Sequence, residues 1–282
     1  VHPWTRPPPD PAFAPEAARL LVDLRAEVAR NGGRAVAAHF EARALWTHSW
    51  RAQGQARGLH RTTLHGTAGP STKCVWCEQL RERTRELDVE HFRPKVCATE
   101  WQGTPPLIAD HPPREVNERG GYWWLAFAWS NFALSCKTCN QGWKRNLFPL
   151  RTPRSRDEQE GDERTEVPLL LDPSTPFHVA DHFRWTPGGI MEPVSDEGSA
   201  TIVVCGLNRA ELLARRALVA QDVLRYTPML KRAIRRHDPA AGREPHQALA
   251  ALGSITAEFT GMVRWLTEQH VGRAWTALGF AP

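Results

Sequence analysis

The chain lacks any apolar run approaching the roughly 20 residues that a membrane-spanning helix needs, so no helical span is expected. No secretory signal is legible, and the sequence reads as that of a cytoplasmic protein. There is no Gly-rich phosphate loop, so ATPase chemistry is not expected within the chain. There is also no internal repeat, which excludes solenoids and propellers. Lysine is scarce, because the basic residues are overwhelmingly arginine. That bias suits phosphate contacts, although a GC-rich genome produces it too.

What is present suffices for folding. The 282 residues, 41% hydrophobic, can build one large domain or two modest ones. A formal charge of +5 and a pI near 9.1 suit a polyanionic partner without requiring one.

Four of the six cysteines are arranged as two Cys-x-x-Cys pairs, Cys74 with Cys77 and Cys136 with Cys139. Two intervening residues let a tight turn aim both sulfurs at one point, and two such turns complete a tetrahedron about 2.3 Å from a zinc ion. The alternative is a pair of disulfides or four buried thiols, which nothing suggestive of secretion supports. A closed four-thiolate site leaves no open position for substrate, so zinc is expected to be structural. Of the two remaining cysteines, Cys97 has no assigned role, and Cys205 sits in an apolar run as a buried free thiol.

The segment LDVEHFRPK, from Leu87 to Lys95, alternates as a strand does, with Asp88 and Glu90 on one face and His91 on the other. A second short strand, Phe132 to Leu134, follows Asn131, and Asn140 and Lys144 lie four apart on an expected helix. The order is strand, strand, helix. Taken singly these residues have plain readings: a core histidine, a strand-entry asparagine, a first-turn asparagine and a solvated lysine.

Together, framed by the cysteine pairs, they resemble the HNH nucleases with their ββα-metal core. The phrases DVEHFRPK, YWWLAFAWSNFALSCKTCN, FPL, PLLLDP and TI-x-x-x-GLNR-x-x-L are similar to the HNH component of Septu-type and retron-associated phage-defence systems. The resemblance runs from Cys74 to about Arg216. It implies His91 as general base, Glu90 and Asn140 as ligands of a divalent cation, and Asn131 as the residue that holds the loop and orients His91. It also implies an ABC/SMC-like ATPase as a separate subunit, and products with 5′-phosphate and 3′-hydroxyl ends. Asp88, on the face of Glu90, could replace or assist it as ligand.

The chemistry agrees with those assignments. Imidazole titrates near neutral pH and can deprotonate water, and a carboxylate with an amide oxygen makes a hard donor set suited to Mg2+ or Mn2+. Arg93, Lys95, Lys144 and Arg145 are candidate phosphate contacts. DNA is preferred over RNA as substrate, with tRNA as an alternative, and a nucleic-acid or partner-binding module with a vestigial metal site is a further reading.

The expected fold is α+β: a zinc-stapled ββα core between N-terminal and C-terminal helical regions. The expected division is 1–70, an extended proline-rich arm and helices; 71–150, the nuclease core; 151–166, a polar linker; and 167–282, mainly helical. In the first part, one helix is expected from Pro15 to a stop at Asn31-Gly32-Gly33. A second should cover residues 34–50, and a loop residues 59–71. The arginine-rich stretch 30–61 could track a phosphate backbone or be a solvated helix. Residues 94–121 read as a long binding loop with an exposed His111, and 122–129 as an aromatic core helix. Further on, a hairpin turning at Gly188-Gly189 is expected within residues 183–193. A basic helix opened by an Asn208/Glu211 capping box comes next, followed by closing helices.

Overall fold

The computed structural model describes residues 1–9, 11, 13–41, 72–81, 87–101, 104–152 and 159–281. The expected helix beyond Glu41, the later part of the arginine-rich stretch, the 59–71 loop and residues 153–158 of the polar linker lie outside them.

Apolar residues at helical spacing form α1, Phe13–Glu41, which buries Leu20 and Leu24. The expected stop is present as a kink, since Gly32 adopts φ 74° and ψ 163°, which no helix contains. Ahead of α1 the proline-rich arm is extended and packed: Arg6 Nε donates to Phe132 O at 3.0 Å, and Trp129 Nε1 donates to Pro7 O at 2.8 Å.

Two very short strands, β1 (Thr72–Lys73) and β2 (Leu80–Arg81), pair antiparallel and bring the first cysteine pair into a knuckle between them. The next strand, β3 (Leu87–His91), follows the alternation of its sequence. The insert between Pro94 and Gly121 is not the open loop its polar composition suggested. It contains an antiparallel pair, β4 (Cys97–Trp101) and β5 (Glu115–Gly120). Its backbone is satisfied partly from a distance: Thr99 N donates to Asn146 O at 2.8 Å, and Phe148 N donates to Thr99 O at 2.9 Å. His111 is exposed, as expected.

The aromatic stretch after the insert forms two 3₁₀ turns, Trp123–Leu125 and Trp129–Asn131, in place of the expected helix. The backbone bonds here are i→i+3, as from Ala128 N to Leu125 O at 3.2 Å, and Leu125 O also accepts from Asn131 Nδ2 while Ala126 O faces His91 Nε2. Tyr122, Trp124 and Phe127 are nevertheless buried.

β6 (Phe132–Cys136) then pairs antiparallel with β3 in the register Leu87↔Cys136, Val89↔Leu134, His91↔Phe132. A seven-residue π-helical segment, Thr138–Lys144, follows directly and ends with Arg145 N donating to Asn140 O at 2.7 Å.

Beyond the linker, β7 (Phe183–Trp185) and β8 (Met191–Pro193) form the expected hairpin, with φ +80° at Gly189. After a one-turn helix α2 (Val179–His182), which precedes β7, come α3 (Asp196–Val204), α4 (Ala210–Arg236), α5 (Pro239–Leu252) and α6 (Thr260–Val271). α4 packs against both α5 and α6.

Asn208 does not cap α4, whose N-cap is Arg209. Its amide instead clamps β8, accepting from Met191 N at 2.9 Å and donating to Met191 O at 2.7 Å. A long-range partner thus displaced the local one. Cys205 is a buried free thiol, as expected. No helix among the described residues is long and apolar enough to cross a membrane.

Candidate functional site

Cys74 and Cys77 come from the β1–β2 knuckle, Cys136 ends β6, and Cys139 lies one turn on. Val75 N donates to Leu134 O at 3.0 Å and thereby fixes the knuckle against β6. The four sulfurs are buried, lie within 4.8 Å of one another and form no disulfide. Sulfurs bound at about 2.3 Å in a tetrahedron stand roughly 3.8 Å apart. Cys77 and Cys136 are separated by 3.9 Å, so the four cysteines fit a single structural metal ion such as zinc. The backbone N–H of Cys136 donates to Cys74 Sγ at 3.3 Å.

Two arginines flank this cluster. Arg209, from the turn before α4, donates through Nη1 to Cys139 Sγ at 3.6 Å. Burial alone would lower its guanidinium, but the Cys139 and Cys77 thiolates outweigh that and hold it above its ordinary value. Burial likewise opposes charge on Arg81, and interactions with Cys136, Cys77 and Cys74 again prevail. Sequence reasoning missed both roles, although Arg209 stands within the GLNR phrase.

On β3 the alternation of faces is as the sequence implied. Asp88 and Glu90 face the π-helical segment: Asn140 Nδ2 donates to Asp88 Oδ2 at 3.3 Å, and Gln141 Nε2 donates to the same oxygen at 2.7 Å. Lys144 Nζ lies 2.7 Å from Glu90 Oε1. The structure therefore brings Asn140 to Asp88 and Lys144 to Glu90. Burial raises the Glu90 carboxyl above its ordinary range, partly offset by Lys144 and Lys95. Its buried Oε2 has no hydrogen-bond partner among the described residues. Two carboxylates and an amide on one face are a hard-oxygen set of the type that holds Mg2+ or Mn2+.

His91 projects from the other face, with its ring edge-on to Phe132 at 5.1 Å. Nε2 is 3.0 Å from Ala126 O. A carbonyl only accepts, so Nε2 carries a proton, and in its neutral form the ring would have its lone pair on Nδ1. Asn131, 4% exposed, ties the chain that follows His91. Its Oδ1 accepts from Arg93 N at 2.8 Å, and its Nδ2 donates to Arg93 O at 3.0 Å and Leu125 O at 3.2 Å. Gly121 allows the same loop to pass closely, since a Cβ there would lie 2.4 Å from the carbonyl carbon of Lys95.

Of the four candidate phosphate contacts, two are turned inward. Arg93 pairs with Glu166 and stacks over Tyr122 and Phe148, with its Cζ 4.8 and 5.1 Å from the ring centres. Lys144 is 1% exposed and serves Glu90. Arg145 is exposed and pairs with Glu115 at 2.8 Å. Burial pushes the Lys95 amine down to about 8.

The acidic end of the polar linker is engaged too. Glu166 accepts from Tyr122 Oη at 2.7 Å, and Glu163 accepts from Trp124 Nε1 at 2.7 Å. Composition marked the stretch as solvated; buried donors nearby gave its carboxylates a role.

The chain is 36% identical over 153 residues to the Septu protein PtuB of Bacillus mycoides (strain KBAB4). The match takes in 54% of this chain and 48% of the relative, so the chain spans about half the length of the curated relative it matches. No family model and no solved structure matches it.

Proposed function

We propose that the chain is a metal-dependent HNH-type endonuclease that hydrolyses phosphodiester bonds, DNA before RNA, and serves a Septu-type anti-phage defence system beside an ABC/SMC-like ATPase. The observation that carries this reading is His91, whose Nε2–H is fixed on Ala126 O at 3.0 Å, at the end of a strand pair stapled by four cysteines. The similarity to the Septu protein supports the setting.

In this mechanism Nδ1 of His91 takes the proton from the attacking water. Asn131 holds the Arg93 backbone and the Leu125 carbonyl, and so keeps the loop and the turn on either side of the imidazole in place. Asp88 and Asn140 would hold the divalent cation, with Oε2 of Glu90 as a third oxygen. A bound Mg2+ or Mn2+ neutralises charge that grows on the phosphate and the leaving oxygen. Arg145 and Lys95 would receive the backbone phosphates once Arg145 exchanges Glu115 for substrate. Residues 71–150 form the nuclease core on this reading, and the metal at the cysteines has no chemical step.

The Lys144–Glu90 pair favours a second reading, a binding module, because an ammonium already neutralises the carboxylate a catalytic cation would use. The test is incubation of the chain, alone and with an ATPase subunit encoded beside it, with plasmid DNA and total tRNA in Mg2+, Mn2+ or chelator. Metal-dependent cleavage is expected on DNA. Metal-independent binding without cleavage in every combination contradicts the nuclease reading and leaves the binding module.

A further inference from the structure

Arg209 is only 5% exposed, and its Nε and Nη2 are buried without a hydrogen-bond partner among the described residues. No carboxylate among those residues pairs with it. Its contacts are the Cys205 and Gly206 carbonyls, at 3.4 and 3.1 Å from Nη1, and Cys139 Sγ at 3.6 Å. Carbonyl dipoles do not neutralise a guanidinium, and a buried charge without a counter-charge is strongly destabilising. Four neutral thiols would leave it in that condition. Four thiolates around one Zn2+ sum to a dianion, and that charge lies beside Arg209 at Cys139.

The turn that carries Arg209 is pressed onto the metal side of the molecule. Gly206 has φ +57°, and a Cβ there would lie 2.0 Å from Trp143 Cδ2. Trp143 belongs to the π-helical segment that also carries Cys139. The start of α6 reaches the other cysteine pair: Gly261 N donates to Glu78 Oε2 at 3.2 Å, and Lys73 Nζ donates to Thr260 Oγ1 at 2.7 Å. The C-terminal helical region therefore meets both the π-helical segment and the knuckle.

We propose that Arg209 is the counter-cation of a zinc tetrathiolate, and that it makes metal occupancy and docking of the C-terminal helices one event. The proposal rests on the zinc reading of the cysteine cluster and is independent of nuclease activity. Without the metal nothing holds the four sulfurs at one point beside Arg209, so the guanidinium loses its fixed partner and the turn at residues 206–209 leaves the π-helical segment. Conversely, a docked turn keeps Arg209 against Cys139 and slows metal escape.

The experiment uses the full chain as wild type, Arg209→Lys and Arg209→Gln, each loaded with zinc or with cobalt(II). Zinc release to a chromogenic chelator gives the rate, and the thiolate-to-cobalt absorption band reports charge at sulfur. Limited proteolysis before and after chelation reports docking.

Loss of an outer-shell partner typically weakens metal binding by about 10- to 100-fold. Arg209→Gln is expected to release zinc faster by about that factor and to shift the cobalt band to lower energy. Arg209→Lys should recover part of both effects. In wild type, chelation should open cleavage sites around residues 206–209.

Equal release rates and an unshifted band in Arg209→Gln would overturn the proposal while leaving the zinc reading intact. A wild type that binds no metal would remove the zinc reading itself. If Arg209→Gln yields no folded protein, the wild-type proteolysis decides, and an unchanged cleavage pattern after chelation contradicts the coupling.

Discussion

Lys144 Nζ lies 2.7 Å from Glu90 Oε1, and both side chains are 1% exposed. The same ammonium donates to His91 O at 2.9 Å, which fastens the pair to the backbone of the proposed base. Two charges this deeply buried stand only because they face each other.

Removal of one partner should therefore be severe. Glu90→Gln and Lys144→Met are each expected to lose about 3–5 kcal/mol of stability. The double variant should lose clearly less than the sum, since it buries no orphan charge. Denaturant unfolding of the three variants checks this, and simple additivity would show that the two residues do not act as a pair.

Asn131 makes three hydrogen bonds to the backbone with one amide. Asn131→Ala leaves those groups unsatisfied in a buried place, for a loss of about 1–3 kcal/mol. Cleavage should fall by more than that destabilisation accounts for, because the loop beside His91 loosens. Comparison of cleavage rates well below the unfolding midpoint separates the two effects; a wild-type rate per folded molecule would refute the positioning role.

Much of this arrangement was legible in the sequence, for reasons that can be named. β3 alternates enough to show its faces, and Cys-x-x-Cys spacing is a geometric statement about a metal. Gly32 and Gly189 mark a kink and a turn because few other residues adopt those angles. The β4–β5 pair was hidden, since its residues are polar and its backbone partners Asn146 and Phe148 come later in the chain. Asn208 looked like a cap by local rule, yet Met191 was the stronger partner. Arg93 looked like a phosphate ligand by charge type; Glu166, far along the chain, supplies its anion. Partners distant in sequence leave no local trace.

Lys95 supplies a pH signature. Burial pushes its amine down from the ordinary 10.5 to about 8. Between those values the unfolded chain holds a proton that the folded one has released, so stability rises with pH across that window and is lost as pH falls through about 8. Lys95→Met should remove this rise. Unfolding midpoints measured at intervals from below 8 to above 9 in both proteins check it, and parallel curves would contradict it.

Cysteine replacement should act through folding. Cys136→Ser, or exhaustive chelation of wild type, is expected to unfold the region around β3 and β6, because a structural metal contributes folding free energy directly. Circular dichroism and bound-zinc content should fall together. A zinc-free chain with an unchanged unfolding midpoint would show that the cluster does not stabilise the fold.

The most direct test of the nuclease reading compares wild type with His91→Ala in Mg2+, both zinc-loaded and both supplied with the ATPase subunit. Loss of a general base typically reduces rate by about 10²- to 10⁴-fold, so the variant should cut DNA at least that much more slowly per folded molecule, with zinc content unchanged. Cleavage by His91→Ala at the wild-type rate would contradict the account.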